Sequence, residues 1–289
     1  IYYAIACTVN PGDEVIVPDP GFVSYYSILN WLNVKHVPVQ LREELGFTMK
    51  IEDIEKAITP RTKMIIINSP NNPTGGIVKK EQWKKIYDIA VKYNLYILSD
   101  EIYARMVYSD SEKFFSPSEF DHCKTNTIIV NGFSKAYAMT GWRLGVLTAP
   151  IHVAERVALL QETQLSCVPG FIQKAGIEAL SDRSTPYVKK MLKEYRKRRD
   201  KMVEGLNSIS GITCYKPEGA FYVFPNIVET GYKSRELAND LLMHAGIACA
   251  PGPVFGPHGE GYLRFCYVNS IENIEEMLER LNKFLSAKK

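Results

Sequence analysis

The chain has 289 residues, 46% of them hydrophobic and 23% charged, the proportions of an ordinary globular protein of one or two domains. A net charge of +3 gives no reason to expect a nucleic-acid or membrane partner, and no apolar run approaches the ~20 residues of a membrane span. Six cysteines without a CxxC pair and five scattered histidines offer no metal site and suit free thiols in a reducing compartment, the cytosol.

In chain order, Ile1 to Val9 reads as an amphipathic helix, ended by Asn10, Pro11 and Gly12. Val15 to Val17 and Val34 to Val39 are short apolar strands. Met64 to Ile67 is a third, followed by Ser69 to Gly76, SPNNPTGG. Glu81 to Tyr93 is a helix with Trp83, Ile86, Ala90 and Tyr93 at helical spacing. Tyr96 to Leu98 is the next strand and runs into Ser99 to Tyr103, SDEIY. Thr127 to Val130 is another and leads into Asn131 to Gly145, NGFSKAYAMTGWRLG. Val146 to Thr148 is a strand closing on Pro150. Helices fill Ile151 to about Leu206, with breaks at Pro169 and Pro186. The basic run Lys189 to Lys201 carries an apolar stripe and reads as a solvated helix face. Thr213 to Tyr215, Ala220 to Phe224 and Tyr262 to Tyr267 are strands of a smaller lobe. Ile271 to Leu285 is the last amphipathic helix, with Ser270 as its N-cap.

Apolar, non-alternating strands that alternate with helices argue for an α/β fold whose mostly parallel sheet is covered on both faces. The lobe boundary is placed near residue 180, giving a large domain over 1–180 and a small C-terminal α+β domain over 181–289. Three successive strands end in polar residues: Asn72, then Asp100 and Tyr103, then Lys135. Ligands of open α/β sheets bind beyond such carboxyl ends. A lysine at the end of a buried strand must be neutralised or used, and one use is a Schiff base with a carbonyl cofactor. Arg143, eight residues on, is suited to a phosphate. Together they suggest pyridoxal 5'-phosphate (PLP).

SPNNPTGG, SDEIY, SKAYAMTGWRLG and GPHGEGYLRFCY, in this order and spacing, resemble the class I/II aminotransferases of PLP fold type I, in the branch with prokaryotic aspartate and aromatic aminotransferases. The resemblance spans essentially the whole chain. It implies exchange of an amino group between an L-amino acid and a 2-oxo acid through a PLP Schiff base on Lys135. It implies that Asp100 pairs with the ring nitrogen, Tyr103 and Asn72 bind the ring's phenolic oxygen, and Arg143 binds the phosphate. Phe22 matches an aromatic stacked on the ring. Arg264 matches the arginine for the substrate α-carboxylate, where Asn72 also lies. Many relatives have serine where this chain has Gly132, and Ser134 is expected to serve the phosphate instead.

The resemblance also implies a homodimer. In the family a phosphate-binding turn precedes the first helix, so the sequence is expected to be part of a longer protein and, alone, to bind PLP weakly. Two alternatives stay open: a PLP-dependent carbon–sulfur β-lyase, and the aminotransferase-like sensor domain of a GntR-type transcription regulator.

Overall fold

A computed structural model describes residues 1–108 and 114–287. A seven-stranded sheet organises the first half. Its strands are β1 (Glu14–Asp19), β2 (Lys35–Arg42), β3 (Thr48–Met49), β4 (Thr62–Asn68), β5 (Tyr96–Asp100), β6 (Thr127–Gly132) and β7 (Gly145–Thr148), in spatial order β3-β2-β1-β4-β5-β6-β7. The five from β2 through β6 run parallel, and β3 and β7 close the two edges antiparallel.

The apolar strands pack both ways. Val15 and Val17 of β1, Met64 and Ile66 of β4 and Leu98 of β5 face one core. That side is covered by α1 (Tyr2–Ala6), α2 (Val23–Trp31) and α6 (Ile151–Leu165). The intervening residues Ile16, Ile65, Ile67 and Ile97 face the opposite core. There α3 (Ile51–Ala57) and α4 (Lys80–Lys92) bury Ile54, Trp83, Ile86, Ile89 and Ala90. Because each face has its own helical cover, the central strands β1, β4 and β5 are buried almost throughout, and period-two alternation is absent there. A short α5 (Ser118–Asp121) leads into β6.

After α6 come α7 (Gly170–Leu180) and the long α8 (Thr185–Asn207). Pro169 stands at the N-cap of α7, and Pro186 lies in the first turn of α8, where its missing N–H costs no helical bond. The C-terminal part of α8 joins a second core. A three-stranded antiparallel sheet, β8 (Tyr222–Val223), β10 (Leu263–Cys266) and β9 (Ala250–Pro251), packs there against α9 (Ser234–Asp240) and α10 (Ile271–Ser286). Ser270 caps α10, its hydroxyl accepting the Asn273 N–H at 3.2 Å.

Three expectations change. The first helix spans only Tyr2–Ala6. Thr213 to Tyr215 is not a strand: Thr213 makes one isolated bridge to Asn226, so its apolar neighbours serve side-chain packing without a ladder. Ala220 to Phe224 shortens to the two-residue strand β8, and β3 and β9, equally short, leave no periodic signature.

The topology fixes where chemistry can occur. Between β1 and β4 the chain changes direction of travel across the sheet, and the carboxyl ends of the parallel strands share one edge. Asn68 and Asp100 are register partners there, as are Asp100 and Val130. The segments after β4, β5 and β6 therefore leave the sheet side by side, which is the crevice that such sheets offer a ligand.

Candidate active site

A cleft of about 660 Å³ opens at that edge, between the large sheet and β8–β10. Phe22, Asn72, Asp100, Tyr103, Ser134, Lys135, Arg143 and Arg264 all line it. The eight come from five stretches of chain that only the fold brings together.

Asp100 ends β5 and is 5% exposed. One carboxylate oxygen accepts the Tyr25 hydroxyl at 2.7 Å, the other the Ile102 N–H at 3.2 Å. Both partners are neutral. Burial pushes the Asp100 carboxyl above its usual range, against the pull of these hydrogen bonds and of Lys135. A buried carboxylate held by neutral donors favours a cationic atom opposite it, and a protonated ring nitrogen is such an atom.

Lys135 sits in the turn that follows β6, half-buried. Its Nζ lies 5.4 Å from the centre of the Phe221 ring and 6.0 Å from that of Tyr103. Desolvation lowers its pKa, and the cations Arg143 and Arg264 act in the same direction, while Cys266 and Asp100 oppose them. More of this lysine is therefore neutral, and so nucleophilic, than of an exposed one. It is the only lysine lining the cleft among the described residues.

Asn72 is buried by the turn chemistry of SPNNPTGG. Its N–H donates to Asn68 Oδ1 at 2.8 Å, and Asn68 Nδ2 donates to the Asp100 carbonyl at 2.9 Å. Asn68 thus ties the ends of β4 and β5 together. Asn72 Oδ1 accepts from Arg264 Nη1 at 3.1 Å.

Arg264 lies on β10 between Leu263 and Phe265, which face the second core. Strand alternation turns its guanidinium the other way, into the cleft. There it is stacked between Tyr222 at 4.5 Å and Phe255 at 4.8 Å. Its Nε is buried without a hydrogen-bond partner, which is costly unless an anion completes the site.

Arg143 is exposed, in left-handed backbone with φ 52°, and donates from Nη1 to the Thr140 carbonyl at 2.9 Å. Gly132 pairs with Gly145 across β6 and β7. A Cβ there would stand 3.1 Å from Ile102 Cδ1 and 3.2 Å from the Leu144 carbonyl oxygen. The close approach of these two strands favours glycine over a larger residue.

Three contributors were not singled out in the sequence. Tyr25 stands three residues beyond Phe22 on α2, and this helical spacing was the available signal. Asn68 directly precedes SPNNPTGG. Tyr222 lies in an apolar run, AFYVF, that reads as core.

A lysine of depressed proton affinity, a buried carboxylate hydrogen-bonded only by neutral donors and two arginines open to anions fit PLP, and this fold and site define a PLP enzyme of fold type I. Residues 1–281 match the family model of aminotransferase class I and II. The chain is 42% identical to an aspartate aminotransferase of Pyrococcus abyssi, over 99% of this chain and 73% of that protein. It is 41% identical to aromatic-amino-acid aminotransferase 2 of Thermococcus litoralis, over 100% and 74%. The solved aromatic aminotransferase of Pyrococcus horikoshii superposes with a TM-score of 0.95 at 38% identity, covering 99% of this chain and 77% of that one. The chain belongs to the class I and II aminotransferases: it is a PLP-dependent transaminase that moves an amino group between amino acids and 2-oxo acids.

Proposed function

We propose that Lys135 is the lysine that would hold the cofactor and that its amine would serve as the base that takes and returns the proton at the substrate Cα. The single observation that carries this is its position: among the described residues it is the one lysine in the cleft that Asp100 and Arg264 also line. When bound, PLP supplies a carbonyl for amine exchange and an electron sink for the carbon that loses its proton.

In this reading Asp100 keeps a proton on the ring nitrogen, with Tyr25 holding the carboxylate in place. Tyr103 and Asn72 hydrogen-bond the phenolic oxygen. Phe22 would pack against the cofactor ring, and Arg143 and Ser134 would hold the phosphate. Lys135 remains next to the carbon it deprotonates, so proton transfer needs no second encounter. Arg264 orients the substrate through its α-carboxylate, braced by Asn72 and the two aromatic rings. The buried, unpaired Nε and its neighbouring Nη group can then donate in parallel to one carboxylate.

Arg264→Lys tests that last assignment. A lysine cannot reproduce the planar fork. Losing one charge-assisted hydrogen bond of roughly 1.5–3 kcal/mol should raise KM for every amino-acid and 2-oxo-acid substrate together by about 10- to 100-fold. PLP affinity should stay unchanged. A variant that lost PLP but kept its substrate affinity would refute the role.

We place the domain boundary near residue 180, ahead of α8, because the residues that build the second core come almost wholly from beyond it. We also propose that the enzyme works as a cytosolic homodimer. Supporting this, Ile151, Leu159, Leu165, Phe171, Ile177 and Leu180 on α6 and α7 are all 60% or more exposed, an apolar surface of the kind that marks an interface. The six cysteines are unpaired, which suits a reducing compartment. Among the described residues no helix is long and apolar enough to cross a membrane. Sedimentation velocity of the PLP-loaded protein should show a dimer, and Leu159→Asp with Ile177→Asp should shift it toward monomer. A monomeric parent protein would contradict the interface.

A further inference from the structure

Tyr103 and Tyr222 bring two phenols together inside the cleft. Their oxygens are 3.2 Å apart, and the residues are 3% and 8% exposed. The rings meet edge to face, with centroids 6.0 Å apart. Among the described residues neither hydroxyl has another hydrogen-bond partner. Each phenol has one proton, so the pair uses one in its mutual bond and has one left over. If Tyr103 is the donor, its proton points at Tyr222 and away from the ligand. If Tyr222 is the donor, the Tyr103 proton is free for a third oxygen.

We propose that Tyr222 is a positioning residue: its hydroxyl donates to Tyr103 Oη and so turns the Tyr103 O–H toward the phenolic oxygen of bound PLP. The surroundings set this direction. The Arg264 guanidinium lies over the face of the Tyr222 ring at 4.5 Å, where a cation favours the more electron-rich phenol. Tyr103 instead has the Asp100 carboxylate nearby, which opposes any loss of its proton. Burial raises both hydroxyls and the Arg264 charge lowers both, but the bond to Tyr103 pulls Tyr222 back, whereas Tyr222 and Asp100 raise Tyr103 further. The more acidic phenol is the better donor. Tyr222 stands on β8, the same small sheet that carries Arg264. The substrate-binding side of the cleft thereby sets the hydroxyl that serves the cofactor side.

The inference rests on the reading that Tyr103 hydrogen-bonds the cofactor. The test is a pH titration of the near-ultraviolet and visible absorbance of the PLP-loaded enzyme, without substrate, for the parent, Tyr103→Phe, Tyr222→Phe and the double variant. Each change removes one oxygen and keeps the ring, and near-ultraviolet circular dichroism reports whether packing is preserved. Removing a donor from the phenolic oxygen raises the proton affinity of the cofactor linkage. One neutral hydrogen bond corresponds to roughly half to one pH unit. Tyr103→Phe should therefore move the midpoint up by about that much. Tyr222→Phe should move it the same way by a smaller amount, and the double variant should match Tyr103→Phe alone. If Tyr103→Phe shifts the midpoint and Tyr222→Phe leaves it in place, Tyr222 does not orient Tyr103. Fully additive shifts would show that Tyr222 acts on its own, which also overturns the proposal. If Tyr103→Phe has no effect, the assignment of Tyr103 itself fails, and this inference fails with it.

Discussion

Lys135→Ala should lower the rate of amino-group transfer by about 10³-fold or more, while leaving the fold intact. A positioned acid–base group contributes typically 10²–10⁴-fold, and Lys135 is assigned a second task in holding the cofactor. No other lysine among the described residues lines the cleft, so none can take its place without moving the chain. The removed side chain is half-buried and makes aromatic contacts but no buried ion pair. The melting temperature should accordingly change little. A small primary amine added to the variant should recover part of the rate, since the alanine leaves space for it beside Phe221 and Tyr103. Turnover above about a tenth of the parent's would show that Lys135 is not the base, a judgement that follows from the same 10²–10⁴-fold range.

Asp100→Asn should cost about 10²–10³-fold in rate, the loss seen when one preorganised electrostatic partner is removed. The amide keeps the shape and can still accept the Tyr25 hydroxyl, so PLP should stay bound. What it loses is the negative charge. Asp100 is buried with two neutral hydrogen-bond partners, and no neighbour in those bonds could supply that charge instead. Rapid-mixing measurement of the first half-reaction, with an amino acid and no 2-oxo acid, separates this loss from any change in binding. A rate within a few-fold of the parent's would remove Asp100 from the assigned role.

Much of this site was legible in the sequence because its residues follow strand ends. Apolar runs at Met64 to Ile67, Tyr96 to Leu98 and Thr127 to Val130 are β4, β5 and β6, and the polar residues after them converge for that reason. Arg264 was legible through the match of YLRFCY, and the fold gives the physical reason: Leu263 and Phe265 face the core, which leaves the arginine between them in the cleft. The supporting residues were harder to see. Tyr25 and Tyr222 are aromatic side chains of a kind that usually fills a core, and only their long-range partners, Asp100 and Tyr103, mark them out. Asn68 closes β4, so its link to Asp100 depends on the pairing of two strands 32 residues apart. Nothing local encodes that pairing. The strands β3 and β9 escaped for a different reason, since two residues cannot show a period.

The amino acid used is a separate matter from the chemistry. The similar proteins named above act, by their names, on aspartate and on aromatic amino acids. The residues proposed here for the substrate would bind what every such substrate shares, the α-amino and α-carboxylate groups. On the rest of the cleft wall Val146, Leu147, Val157 and Leu165 present apolar surface beside Asn131 and Gln161, where a side-chain preference can be set.

The most direct test of the central claim is reductive trapping. The PLP-loaded protein is treated with borohydride, digested and mapped by mass spectrometry. The expected result is one phosphopyridoxyl group per chain on Lys135, lost when an amino-acid substrate is added before reduction. Label on a different lysine, with Lys135 unmodified, would contradict the account.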